Sequence, residues 1–142
     1  MRGGGGYCAP LQVTAILLLF GYPRLLTGSI LAHEVLHAFF RLSHKAGRRF
    51  PPRGMPARLE EGLCQLAAWC WLRDAGAAAV EGGAAAAPAR TPLNFFAYAV
   101  ESDTSPVYGA GFRDALRAFR RLGSLPAVLA EVEERGALPA AD

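Results

Sequence analysis

Two histidines lie four residues apart in His33-Glu34-Val35-Leu36-His37, the spacing written HExxH. On an α-helix, positions four apart lie one above the other on the same face. Both imidazoles can therefore grip one ion. Glu34 then stands beside that ion without binding it and is free to take a proton from an activated water. The bland alternative is a solvated helix face. The neighbours Ile30, Leu31, Ala32, Val35, Leu36, Ala38, Phe39 and Phe40 argue against it, because they predict a helix buried nearly all round. Buried imidazoles and carboxylates need partners, and a zinc ion is a suitable one.

Catalytic zinc wants a third protein ligand. His44 shares the face of His37 but lies two turns on, about 10 Å along the axis, too far for the same ion. Glu60-Glu61-Gly62, opening the next predicted helix, is the better source. Thermolysin-like and aminopeptidase-like enzymes draw a Glu from a following helix, often just before a Gly. By that pattern Glu61 is the ligand, and Glu60 is an outer partner or the runner-up. Periodicity does not choose between them, and a pair of Glu at a helix start also complements the helix dipole. Asp103, in a loop, suits a cap or an outer acid better.

The elements that must position these groups can be read from punctuation and periodicity. Residues 1–10 are glycine-rich and expected to be disordered. Val13 to Phe20 reads as a buried strand between Pro10 and Gly21-Tyr-Pro23. The zinc-motif helix is expected over about Ile30–Ser43, with Thr27 or Ser29 as its N-cap. Lys45 to Pro56 reads as loop, and a second helix is expected over about Ala57–Arg73. Residues 74–92, rich in Ala, Gly and Pro, read as a low-complexity insertion. Three further helices follow: Leu93 to about Glu101, Gly111–Leu122 and Leu125–Arg135. One domain over residues 11–139 is expected.

Bulk properties narrow the class. The 142 residues are 52% apolar and 19% charged, with a net charge of +3, as in a globular chain. Arginines are scattered with no long basic block, so no nucleic-acid partner is expected. Cys8, Cys64 and Cys70 form no CxxC pair, which favours a reducing, cytoplasmic or nuclear setting and leaves Cys64 and Cys70 as small core residues. Leu11 to Tyr22 is apolar but stops at Pro23-Arg24, short of the ~20 residues a span needs. No membrane association and no secretion are expected.

Three blocks in order carry a resemblance: Leu-Thr-Gly-Ser-Ile-Leu-Ala-His-Glu-x-x-His (26–37), Glu-Glu-Gly-x-Cys-Gln (60–65) and Glu-Ser-Asp-Thr-Ser-Pro-x-Tyr-Gly-x-Gly-Phe-Arg (101–113). Together they resemble the C-terminal peptidase region of the plant LIM-domain metallopeptidases, ubiquitin-activated regulators that limit organ growth. The resemblance runs from about Val13 to Pro139 and breaks at the Ala/Gly insertion.

It implies an α+β, mostly helical, zincin-like (gluzincin-type) domain with few strands, its HExxH helix packed on a second helix that carries the Glu ligand. It implies a zinc endopeptidase acting on growth-control or ubiquitin-pathway proteins, with His33, His37 and Glu61 as ligands and Glu34 as acid/base. Tyr108, inside the third block, is the first choice for a donor to the oxyanion and Tyr98 the second. For either, a core tyrosine with a wet hydroxyl is an equal reading. Tyr98 stands where the family implies a histidine. The ubiquitin-interacting and LIM modules expected ahead of the peptidase have no counterpart in residues 1–32, which hold one Cys and no His. A shortened form is therefore expected, and with it a rival reading: a zinc-binding relative without turnover, acting as partner or competitor of full-length members. A membrane-anchored protease is a third, weaker reading.

Overall fold

The structure, a computed structural model, describes residues 13–43, 55–81 and 92–140. Five helices follow in order: α1 (Arg24–Ser43), α2 (Ala57–Glu81), α3 (Pro92–Glu101), α4 (Tyr108–Leu122) and α5 (Leu125–Arg135). Helix α2 lies at the centre and touches each of the other four. The core forms where α1, α2, α4 and α5 meet, around Phe40, Leu63, Leu66, Phe112, Val128 and Val132, all at most 1% exposed.

The described residues contain no strand, which corrects the expected α+β, zincin-like class: the fold seen is all-helical. Residues 13–20 are irregular, and Leu17 and Phe20 are 88% and 105% exposed. The reason is pairing. A strand is held by ladder bonds to a neighbour, and β-branched composition alone does not supply one. Every other described element satisfies its backbone within a helix.

Helix α1 begins six residues earlier than its polar residues suggest. Thr27 N donates to the carbonyl of Pro23 at 2.9 Å, so the helix is under way before Thr27. The hydroxyls of Thr27 and Ser29 donate to the carbonyls of Tyr22 and Leu26 at 3.3 and 3.0 Å instead of capping. Gly28 is there for packing: a Cβ on it would lie 2.2 Å from ring carbons of Trp71. Helix α2 runs to Glu81, past the expected end at Arg73, because alanine-rich sequence favours helix when it follows one. Helix α4 starts at Tyr108, three residues early. Ser105 N donates to Asp103 Oδ1 at 2.7 Å, and Gly109 N donates to Ser105 Oγ at 3.0 Å, so the Asp-Thr-Ser-Pro turn feeds into the first helical turn. Helices α3 and α5 fall where expected. Ser124 caps α5 by accepting from Ala127 N at 3.3 Å. The expected disordered start (1–10), His44, most of the expected loop and residues 82–91 of the insertion lie outside the described residues.

Gly62, directly after the paired glutamates, sets how closely α2 approaches α4. A Cβ at Gly62 would lie 2.3 Å from the backbone carbon of Gly111, and one at Gly111 would lie 2.2 Å from the carbonyl oxygen of Arg58. The obstacle is backbone, so the helices must part to admit a methyl group. Gly62→Ala is expected to destabilise the chain by ~1–3 kcal/mol, as overpacked cores do. Denaturant unfolding checks this, and an unchanged midpoint would refute the close helix contact.

Candidate metal centre

Helices α1 and α2 meet face to face where His33, His37, Glu60 and Glu61 lie. His33 and His37 are one turn apart, and their Nε2 atoms approach to 3.2 Å. Glu61 Oε2 lies 3.2 Å from His33 Nε2 and 3.3 Å from His37 Nε2. The three donor atoms thus form a nearly equilateral triangle. Its centre, one side divided by √3, is about 1.9 Å from each atom, close to the ~2.1 Å of a zinc–ligand bond, so these residues could hold such an ion.

The electrostatics favour a cation there. Glu61 Oε2 is buried and, among the described residues, makes no hydrogen bond despite its two nitrogen neighbours. An orphaned carboxylate oxygen in a buried site is costly. Glu34, Glu60 and Glu61 bring three negative charges to this region and Arg41 one positive, leaving two that a divalent ion neutralises. Burial, and then His37, hold the His33 imidazole below its usual pKa of 6.5, although Glu61 and Glu34 pull the other way. Burial thus favours the neutral form that binds metal.

Outer contacts orient the candidate ligands. His37 Nδ1–H donates to Glu60 Oε1 at 3.0 Å, since a carboxylate only accepts. In the neutral ring this leaves the lone pair on Nε2, facing His33 and Glu61. Arg41 donates to the same Glu60 oxygen at 2.8 Å. Glu60 thus meets the Nδ1 side of His37, while Glu61 Oε2 approaches the Nε2 atoms of both histidines. Glu34 and His37, with Ala38 and Arg41, line one side of a groove of about 280 Å³, and residues 13–17 line the other.

Two further residues border the centre, Arg41, which the sequence reading did not single out, and Cys64, which it read as a core residue. Arg41 follows His37 by four positions, and that spacing was the available signal. Cys64 is fully buried, and its sulfur and one nitrogen of each histidine lie within 4.8 Å of one another. It competes with Glu61 for the third position. Glu61 is favoured because its oxygen lies 3.2 and 3.3 Å from the two Nε2 atoms and carries a charge a cation can neutralise. Burial, reinforced by Glu61, Glu60 and Glu34, also pushes the Cys64 thiol far up, away from the thiolate that binds metal. Tyr98, in α3, is 65% exposed and Tyr108, at the start of α4, is 44% exposed. Neither is among the described residues lining the groove. Asp103 serves the turn before α4.

The comparisons with known proteins add to this geometry. A family model described as DA1-like, Protein DA1, matches residues 7–135. The chain belongs to the DA1-like family. Protein DA1 of Arabidopsis thaliana is 41% identical over 144 residues, covering 90% of this chain and 25% of the relative. Protein DA1-related 1 of the same plant is 38% identical, covering 79% of this chain and 22% of the relative. The LIM domain-containing protein HDR3 of Oryza sativa subsp. japonica is 36% identical, covering 79% and 26%. This DA1-like chain thus spans about a quarter of the length of these curated relatives. No solved structure matches it. Among its described residues, no helix is long and apolar enough to cross a membrane.

Proposed function

We propose that the chain is a zinc-dependent endopeptidase domain acting on protein substrates, with His33, His37 and Glu61 holding the metal. The observation that carries this reading is the convergence of three donor atoms at 3.2–3.3 Å, one of them a buried oxygen without a hydrogen bond. When bound, zinc supplies Lewis-acid chemistry, polarising a carbonyl and acidifying water. Glu60 orients His37 through Nδ1. Glu34 takes the proton of the attacking water on its carboxylate and passes it to the nitrogen of the leaving segment. The groove between α1 and residues 13–17 is where the polypeptide would lie. Tyr108 and Tyr98 remain the sequence's candidates for a further donor, and closure of the groove would have to bring one of them in. Kinship with the DA1-like family supports growth-control or ubiquitin-pathway proteins as substrates, in the cytoplasm or nucleus.

The test is to measure bound zinc in the purified chain and then cleavage of an unfolded protein substrate before and after chelation. Zinc at one equivalent with chelator-sensitive cleavage is expected. Absence of stoichiometric zinc would overturn the reading. A second reading is favoured by the exposed apolar residues 16–20. On that reading the chain binds zinc without turnover and associates with longer family members. Zinc without cleavage, together with co-purification of such a member, would select it.

A further inference from the structure

We propose that Arg41 is a positioning residue of the metal centre, acting through Glu60 to set the tautomer of His37. This rests on the metal-binding reading above but makes a claim about the metal-free chain as well. Arg41 and His37 both donate to one oxygen, Glu60 Oε1, at 2.8 and 3.0 Å. Arg41 sits one turn beyond His37 on α1, and Glu60 comes from α2, so the contact also ties the two helices that supply the ligands.

The carboxylate has its own freedom without this tie. Glu60 could turn toward solvent and leave His37 Nδ1 without an acceptor. A neutral imidazole without a fixed partner exchanges between its two tautomers, and only the one protonated at Nδ1 presents the Nε2 lone pair to a metal. With the guanidinium on Oε1, the carboxylate is held where His37 needs it.

Two effects of removing Arg41 oppose each other. Loss of a positive charge makes the region more negative and favours a cation. Loss of the anchor lets Glu60 and the His37 ring move and disfavours it. The Arg41 side chain is 38% exposed, so its charge is screened by water and the long-range attraction is small. Losing an outer partner typically weakens metal binding ten- to a hundredfold. The anchor therefore outweighs the charge, and the sign of the change distinguishes the two.

The experiment compares the full chain with Arg41→Gln, Arg41→Lys, Glu60→Ala and the double variant Arg41→Gln/Glu60→Ala. Zinc affinity is read by competition with a chelating dye. The His37 tautomer is read from ¹⁵N chemical shifts in the metal-free protein. Arg41→Gln is expected to weaken zinc binding about tenfold or more and to mix the tautomers of His37. Arg41→Lys, which keeps a charged donor, is expected to restore much of both. The double variant is expected to bind zinc no more weakly than Glu60→Ala alone, because Arg41 works through Glu60. Unchanged or tighter zinc binding in Arg41→Gln, or an unchanged His37 tautomer, would overturn the proposal. Additive losses in the double variant would do the same. If the parent chain holds no zinc, the endopeptidase reading falls and the tautomer alone decides the role of Arg41. Should Arg41→Gln not fold, Arg41→Lys and Glu60→Ala carry the comparison.

Discussion

Glu34→Gln is expected to leave zinc in place and to remove most cleavage. The substitution is nearly isosteric and touches none of the three converging donors, so the metal content of the purified variant should match the parent. Glutamine cannot accept the proton of an attacking water, and a positioned general base is worth about 10²–10⁴-fold in rate. Cleavage of a protein substrate at saturating zinc is expected to fall by that factor, with melting temperature close to that of the parent. The pairing of outcomes matters. Lost zinc would mean that Glu34 belongs to the ligand set. Retained zinc with undiminished cleavage would place the chemistry elsewhere.

Glu61→Ala is expected to act in opposite senses on the metal-free and the zinc-loaded protein. In the metal-free chain, Glu61 Oε2 is a buried oxygen with no hydrogen bond, in a region that already carries excess negative charge. Removing it relieves a desolvation penalty of about 1–3 kcal/mol, partly offset by loss of contacts with the histidines. The metal-free variant is therefore expected to melt no lower than the parent. With zinc the order reverses. A ligand present at a thousandfold its dissociation constant stabilises the folded state by ~4 kcal/mol. Glu61→Ala forfeits most of this, because losing a direct ligand should exceed the ten- to hundredfold loss typical of an outer partner. Thermal unfolding with and without zinc reads both arms. A zinc-dependent rise in melting temperature equal to that of the parent would show that Glu61 is not a ligand. In that case Cys64 becomes the next residue to replace.

Much of the candidate centre was visible in advance, for a local reason. His33 and His37 are joined by one helical turn, so their relation follows from spacing alone. Adding Glu60-Glu61-Gly62 at the next helix start required only a turn between two helices. The choice of Glu61 over Glu60 was another matter. It depends on the rotation of α2 about its own axis, and an apolar sequence on nearly every face left that undetermined. The close contact of Gly62 with Gly111 helps set it, through a residue more than forty positions away.

The errors had a common cause as well. Residues 13–20 carry the composition of a strand, but a strand exists only with a partner, and composition does not supply one. Thr27-Gly28-Ser29 has the chemistry of a helix start, yet it lies within α1 because Trp71 of α2 packs on the glycine. In each case a local signal was outweighed by contacts between distant segments.

What the chain's order of residues settled was the one-turn spacing of His33 and His37, the place of Glu34 beside them, the positions of α3 and α5, and membership of the DA1-like family. Those properties are local or are matched residue by residue. Tertiary packing alone decided how closely each glutamate approaches the histidines, that Arg41 shares Glu60 with His37, and that the apolar start pairs with no strand among the described residues. Such outcomes depend on the distance and rotation between whole helices, which side chains far apart in the chain determine together.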